Sequence, residues 1–224
     1  MRIGVLGSGI VGQTLGAKLV ERGEEVVLGT RSPTELDDKR GMGPPLSEWL
    51  ARVGNRARVA TFAEAAAHGE IVINATSGKA SLEALELARE KNLDGKILID
   101  VSNPLDFSRG MPPSLSVCNT DSLGEQIQRA FPNARVVKTL NTTNANVMVS
   151  PLLVAGGDHD VFVSGNDEAA RARVSELLKS WFGWRSVIDL GDITSARGVE
   201  MLLPIWVRLW SALGTPMFNF KISR

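Results

Sequence analysis

The chain has 224 residues, 43% of them hydrophobic, and its 25 basic and 25 acidic side chains cancel to a formal net charge of zero. A chain of this size buries roughly 70% of its unfolded surface, enough for one substantial core, and the composition argues against disorder and gives no sign of a polyanionic partner such as nucleic acid. A single cysteine, Cys118, rules out an internal disulfide, two histidines leave little for a zinc site, and no apolar stretch approaches the roughly 20 residues that span a bilayer. The amino terminus is too short in apolar residues and too rich in glycine for a signal peptide, so a cytoplasmic protein is expected.

In chain order, β-rich runs at 2–6, 25–28, 58–61, 71–75, 96–101, 135–140, 161–164 and 186–190 alternate with helical patterns. That alternation predicts βαβ units around a parallel sheet, and the continuous Val/Ile/Leu character of several runs fits strands covered on both faces. Val11, Leu15 and Leu19 line one helix. Ser122 and Glu125 fit a capping box for a helix through Phe131. Ala170, Val174, Leu177 and Trp181 line a third helix, opening near Asp167 and stopping at Gly183. No linker divides the chain, so one domain over 1–224 is expected, with strand order 3-2-1-4-5-6 for the first six strands by analogy to doubly wound folds.

The first strand runs into Gly7-Ser8-Gly9-Ile10-Val11-Gly12, a G-x-G-x-x-G sequence at a strand-to-helix junction. There Gly7 permits the tight turn, Gly9 lets a pyrophosphate approach the backbone, and Gly12 seats the helix against the strand. Free N–H groups at the helix start then face the diphosphate. The second strand ends in Thr30-Arg31-Ser32, with no carboxylate to hold a ribose diol. Two hydroxyls and a guanidinium suit a 2′-phosphate instead, so the cofactor expected is NADP(H). Lys39 and Arg40, beside Asp37 and Asp38, read as a mixed surface loop. The whole is a Rossmann-type α/β domain.

Ligands of such sheets bind beyond the carboxyl ends of the strands. The loops there carry Ala75, Thr76 and Ser77, then Asn103 and Pro104, then Asn141. Thr76 and Ser77 are placed beside ribose and diphosphate. Asn103 and Asn141 are candidates to orient a carboxamide or ring edge, although turn chemistry explains both equally well. No general acid or base stands out, and no catalytic residue is assigned. His68 falls at the wrong end of the sheet, His159 reads as part of a surface loop, and Cys118 as inert. Residues 194–213 read as a C-terminal helix, apolar nearly all round and kinked by Pro204. Its second apolar side predicts a homodimer contact, or a wall of the acceptor pocket.

Residues 1–31 resemble the dinucleotide turn of the NADP oxidoreductases that act on coenzyme F420, a module also found in the cytosolic part of six-transmembrane ferric reductases. Asp100-Val101-Ser102-Asn103-Pro104, Lys138-Thr139-Leu140-Asn141-Thr142, and Asp189-Leu190-Gly191-Asp192 with Ala196, Arg197, Glu200, Leu203 and Pro204 are similar to further parts of that family. The resemblance implies hydride exchange between NADP(H) and a deazaflavin. Two other readings compete with it: a reductase of flavin, quinone or ferric chelates, and an NADP(H)-binding sensor without turnover. A hydroxyacid dehydrogenase of the 6-phosphogluconate type needs a long helical second domain for which only about 30 residues remain.

Overall fold

A computed structural model describes residues 1–38 and 43–224; Lys39 and Arg40 of the expected mixed loop lie outside them. The strands are β1 (Arg2–Leu6), β2 (Glu25–Thr30), β3 (Ala57–Thr61), β4 (Ile71–Asn74), β5 (Ile97–Asp100), β6 (Leu105–Asp106), β7 (Ser114–Leu115), β8 (Arg135–Thr139), β9 (Asp160–Ser164) and β10 (Ser186–Asp189). The helices are α1 (Ile10–Glu21), α2 (Leu46–Val53), α3 (Phe62–His68), α4 (Ser81–Ala88), α5 (Leu123–Ala130), α6 (Ala145–Val149), α7 (Glu168–Leu177), α8 (Ala196–Met201) and α9 (Leu203–Leu213).

Eight strands form one sheet in the order β3-β2-β1-β4-β5-β8-β9-β10. The expected 3-2-1-4-5-6 arrangement is present, with β8 as the sixth long strand. From β3 to β8 every pairing is parallel, but β9 runs antiparallel to β8 and β10 follows β9. A fully parallel sheet was therefore the wrong expectation for the last two strands. The stretch 140–159 between β8 and β9 holds only α6, five residues long, and short helical turns, and it brings the chain back into the sheet beside the carboxyl end of β8. The β6–β7 hairpin, two residues a side, is a further unforeseen insertion.

Both faces of the sheet are covered, which is why β1, β4 and β5 are apolar except at one end, at Arg2, Asn74 and Asp100. On one face Leu15 and Leu19 of α1 meet Trp49, Val147, Trp181 and Trp184. On the other, Ala65, Leu85, Leu123 and Ile127 of α3, α4 and α5 form a second layer. Asp167 caps α7 through the Ala170 N–H (2.7 Å), and the helix closes in a π turn over 178–182 before the left-handed Gly183, matching the expected span. Ser122 caps α5 by accepting from the Glu125 N–H at 3.1 Å. The Glu125 carboxylate turns instead to the Ser122 hydroxyl and to Arg197, so the reciprocal half of the expected box is replaced by an ion pair. A complete capping box occurs at Thr61 and Glu64.

The expected helix over 194–213 divides at Leu202 into α8 and α9, with Pro204 in the first turn of α9, where its missing N–H leaves no intrahelical bond unmade. Leu203, Trp206 and Val207 pack against Leu105, Leu115, Phe218 and Phe220. Trp206 stacks on Phe218 at 5.2 Å. The terminal segment is tied back to β9, with the Asp160 N–H donating to the Phe220 carbonyl at 3.0 Å. This overturns the placement of His159 in a surface loop: it is 3% exposed. Its Nε2 donates to the Pro151 carbonyl (2.9 Å), its Nδ1 accepts from Asn219 (2.8 Å), and its ring meets Trp184 edge-on. Among the described residues no helix is long and apolar enough to cross a membrane.

Arg129 grips Asp121 through two parallel bonds of 3.0 and 2.8 Å, and this hydrogen-bonded guanidinium holds the carboxyl at about 2. A depressed pKa contributes stability above the unfolded value of about 3.9, and that contribution is lost as pH falls through the folded value. With the Arg129 side chain 60% exposed, Arg129→Ala should cost less than about 1 kcal/mol at neutral pH. Urea unfolding of wild type and variant should converge as pH falls below about 4 toward 2.

Candidate dinucleotide and acceptor site

The strand order reverses between β1 and β4, and the crevice opens there, beyond the carboxyl ends. Gly7 leaves β1 at φ +116°, a left-handed conformation, and a Cβ on it would lie 2.5 Å from the Ala75 carbonyl. Gly12 sits so close to the turn that a Cβ would fall 1.9 Å from the Gly7 carbonyl oxygen. Gly9, by contrast, has open space where its side chain would be. It caps α1 without any side-chain bond, and the first turn of α1 carries no acidic residue, so the N–H groups at the helix start are offered to an anion. Ser8 Oγ reaches Thr30 Oγ1 at 3.3 Å and ties the turn to the end of β2, beyond which Arg31 is exposed.

Two adjoining compartments result. The first, of about 200 Å³, lies between Gly7–Gly9, Thr30, Arg31 and residues 75–77. Its outer wall is Phe62 of α3 with Ala80, Glu83, Ala84 and Leu87 around α4, none of them foreseen. The second, of about 500 Å³, extends from the same Ala75, Thr76 and Ser77 to Val11, Asn103 and the β6 region. Of the expected residues, Gly7, Ser8, Gly9, Thr30 and Arg31 line the first compartment, Val11 and Asn103 the second, and Ala75, Thr76 and Ser77 both. Ile10 opens α1, Gly12 underlies the turn, and Ser32 donates its N–H to Thr30 Oγ1 at 3.4 Å. Asn103 and Asn141 are brought together rather than aimed side by side at a ligand. Asn103 Nδ2 donates to the Asn141 carbonyl (2.8 Å), and Asn141 Nδ2 donates to Asn103 Oδ1 (3.0 Å) and the Val199 carbonyl (3.1 Å). Asn141 and Pro104 line neither compartment.

Beneath both compartments lies a feature the sequence reading did not assemble. Lys138, at 0% exposure, is buried between Asp100 (2.6 Å) and Glu200 (2.8 Å), and it also donates to the Ser102 carbonyl at 2.8 Å. Burial pushes its ammonium down, but the two carboxylates more than offset this and hold it above the ordinary lysine value. Asp100 Oδ1 accepts from Asn74 Nδ2 (2.9 Å) and from the Ser102 hydroxyl (2.6 Å) and N–H (3.1 Å). Glu200 accepts the Leu123 and Gly124 N–H groups at 2.8 and 3.0 Å, and so caps α5 from another helix. The chain of bonds continues from Asn74 Oδ1 to the Thr76 hydroxyl at 2.7 Å, within the loop both compartments share. At the rim, the Ser108 N–H and hydroxyl hold the Asp106 carboxyl below its usual range.

The geometry is that of an NAD(P)-binding oxidoreductase domain. A family model, "NADP oxidoreductase coenzyme F420-dependent", matches residues 2–104. The F420-dependent NADP reductase of Methanothermobacter marburgensis is 30% identical over 93% of this chain and 92% of its own length. The chain belongs to this F420-dependent NADP reductase family and is an NADP-dependent oxidoreductase. A solved structure from Arthrobacter sp. FB24, provisionally described as an F420-dependent NADP reductase, is 58% identical, covers all of both chains and superposes with a TM-score of 0.95. Metalloreductase STEAP3 of Rattus norvegicus is 32% identical over 92% of this chain, which spans 38% of that protein's length.

Removing the lysine leaves two carboxylates facing one another without a cation. Lys138→Met should lower the unfolding free energy by about 3–5 kcal/mol in urea titration, and adding Asp100→Asn should recover part of the loss.

Proposed function

We propose that this chain transfers hydride between NADP(H) and coenzyme F420, with the dinucleotide in the first compartment and the deazaflavin in the second. The observation that supports this reading is the sharing of Ala75, Thr76 and Ser77 by two adjoining compartments, so that a ring entering from each side can meet the other face to face beside one loop. NADP(H) bound there supplies the hydride chemistry. The chain's own part is to hold the diphosphate on the α1 amino end, to meet a 2′-phosphate with Arg31, and to exclude water between the two rings. Ring-to-ring transfer depends on proximity and orientation more than on a titrating side chain, consistent with compartments that offer no histidine. A second reading, reduction of flavins or ferric chelates, is favoured by the likeness to the rat metalloreductase.

NADPH oxidation with F420, FMN, FAD and ferric citrate offered in turn separates these readings. F420 turnover is expected. Activity with flavin or ferric citrate alone selects the second reading, and activity with none a binding sensor. Arg31→Ala should weaken NADPH binding by roughly 1.5–3 kcal/mol in calorimetric titration while leaving NADH binding unchanged, as expected for loss of a charge-assisted bond to phosphate.

We also propose a homodimer through α9. Ile205, Trp210 and Leu213 remain 52%, 38% and 57% exposed on its outer face, where a two-fold copy would cover them. Sedimentation should give a dimer at micromolar concentration and a monomer after Trp210→Glu with Leu213→Glu.

A further inference from the structure

Gln13 stands in the first turn of α1, one residue past the last glycine of the turn, and is only 1% exposed. Its main chain is fixed at both ends. Its N–H donates to the Gly9 carbonyl at 3.0 Å, and its carbonyl accepts from the fully buried Trp49 indole at 2.8 Å. The side-chain nitrogen, Nε2, donates to the Ser8 carbonyl at 2.9 Å and to the Pro44 carbonyl at 3.0 Å. Both acceptors are main-chain oxygens, so the amide's orientation is set by its partners.

A planar trans peptide points its C=O and its N–H in opposite directions. The Ser8 carbonyl is drawn toward Gln13, so the N–H of the same peptide, that of Gly9, is aimed away from it. A Cβ built at Gly9 meets nothing within 4 Å, and Gly9 lines the first compartment. We propose that Gln13 is a positioning residue for the cofactor diphosphate: its amide locks the Ser8–Gly9 peptide so that the Gly9 N–H, and not the Ser8 carbonyl, faces the phosphate oxygens. Its second bond, to Pro44, joins the segment after β2 to the same turn. With the amide removed, the peptide is free to rotate and to present a carbonyl dipole to an anion. The inference rests on the first compartment being the dinucleotide site.

The test compares wild type, Gln13→Met and Gln13→Glu by calorimetric titration with NADP+ and with adenosine 2′-monophosphate, which carries the 2′-phosphate but no diphosphate. For Gln13→Met, NADP+ should bind about tenfold more weakly, the scale of one lost hydrogen bond to a charged group's cradle, with 2′-monophosphate affinity within about twofold of wild type. Gln13→Glu keeps the shape but, when ionised, can only accept. Its NADP+ affinity relative to wild type should be lowest at neutral pH and recover as pH falls and the carboxyl regains a donating O–H. Equal weakening of both ligands would mean a general loosening of the domain and would overturn the proposal. So would unchanged NADP+ affinity in Gln13→Met, or a Gln13→Glu deficit that does not move with pH. A wild type that fails to bind NADP+ would overturn the site assignment itself, and this inference with it.

Discussion

One buried cation holds the architecture of the site together. Lys138 has no exposed surface, and Asp100, from the neighbouring strand, and Glu200, from α8, converge on it. A buried pair of this kind is poor evidence of stability in itself, since well-packed apolar groups often do as well. What it enforces is arrangement. Each carboxylate has further donors to satisfy: Asp100 takes the Asn74 amide and Ser102, and Glu200 takes the amino end of α5. The ends of β4, β5 and β8 and two helices therefore have a single register in which every polar group is paired. The loops bearing Thr76 and Asn103 grow directly from those ends, so the compartment walls inherit that register.

The glycine turn plays the complementary part at the other side of the switch point. It uses close backbone contact, at Gly7 and Gly12, where the ion network uses charge. Between the two, the loop at Ala75–Ser77 is pinned on its underside by Asn74 and open on its upper side. A loop fixed from below and shared by two cavities is a rigid common wall, because moving it would break bonds to Asn74 and Ser81.

The strands and the turn were legible in the sequence because they depend on local pattern: apolar runs for strands covered on both faces, and glycines where a junction needs them. Arg31 and the absence of a neighbouring carboxylate were legible for the same reason. The ion network was not, because its members stand on separate elements and look in isolation like ordinary polar strand ends. One signal was available. Asp100 ends the apolar run Ile97–Ile99 and Lys138 follows Val136 and Val137, and a charge in a strand covered on both faces must find a partner. His159 was misplaced because Asp158 and Asp160 beside it suggest a surface loop, whereas the partners that bury it, Asn219 and Trp184, come from distant segments. The walls at Phe62 and Leu87 had no signature, since apolar residues on helices read first as core. The reversal of β9 left no signal, because the stretch 140–159 that joins it to β8 is long enough for a return in either direction.

That reversal has a consequence for the order in which the molecule is assembled. Because β9 and β10 run backward, with Val163 level with Thr139 and Asp189 level with Val163, β10 ends beside the carboxyl end of β8, and the six-residue α8 then brings Glu200 to Lys138. Its carboxylate closes on the Leu123 N–H, 77 residues earlier in the chain. During synthesis the glycine turn, β1 to β5 and even Lys138 emerge well before the group that completes them. Contacts of such long sequence separation form late and slowly. A chain that has emerged only as far as β10 already holds Asp100 against Lys138, but the amino end of α5 still lacks the carboxylate that caps it.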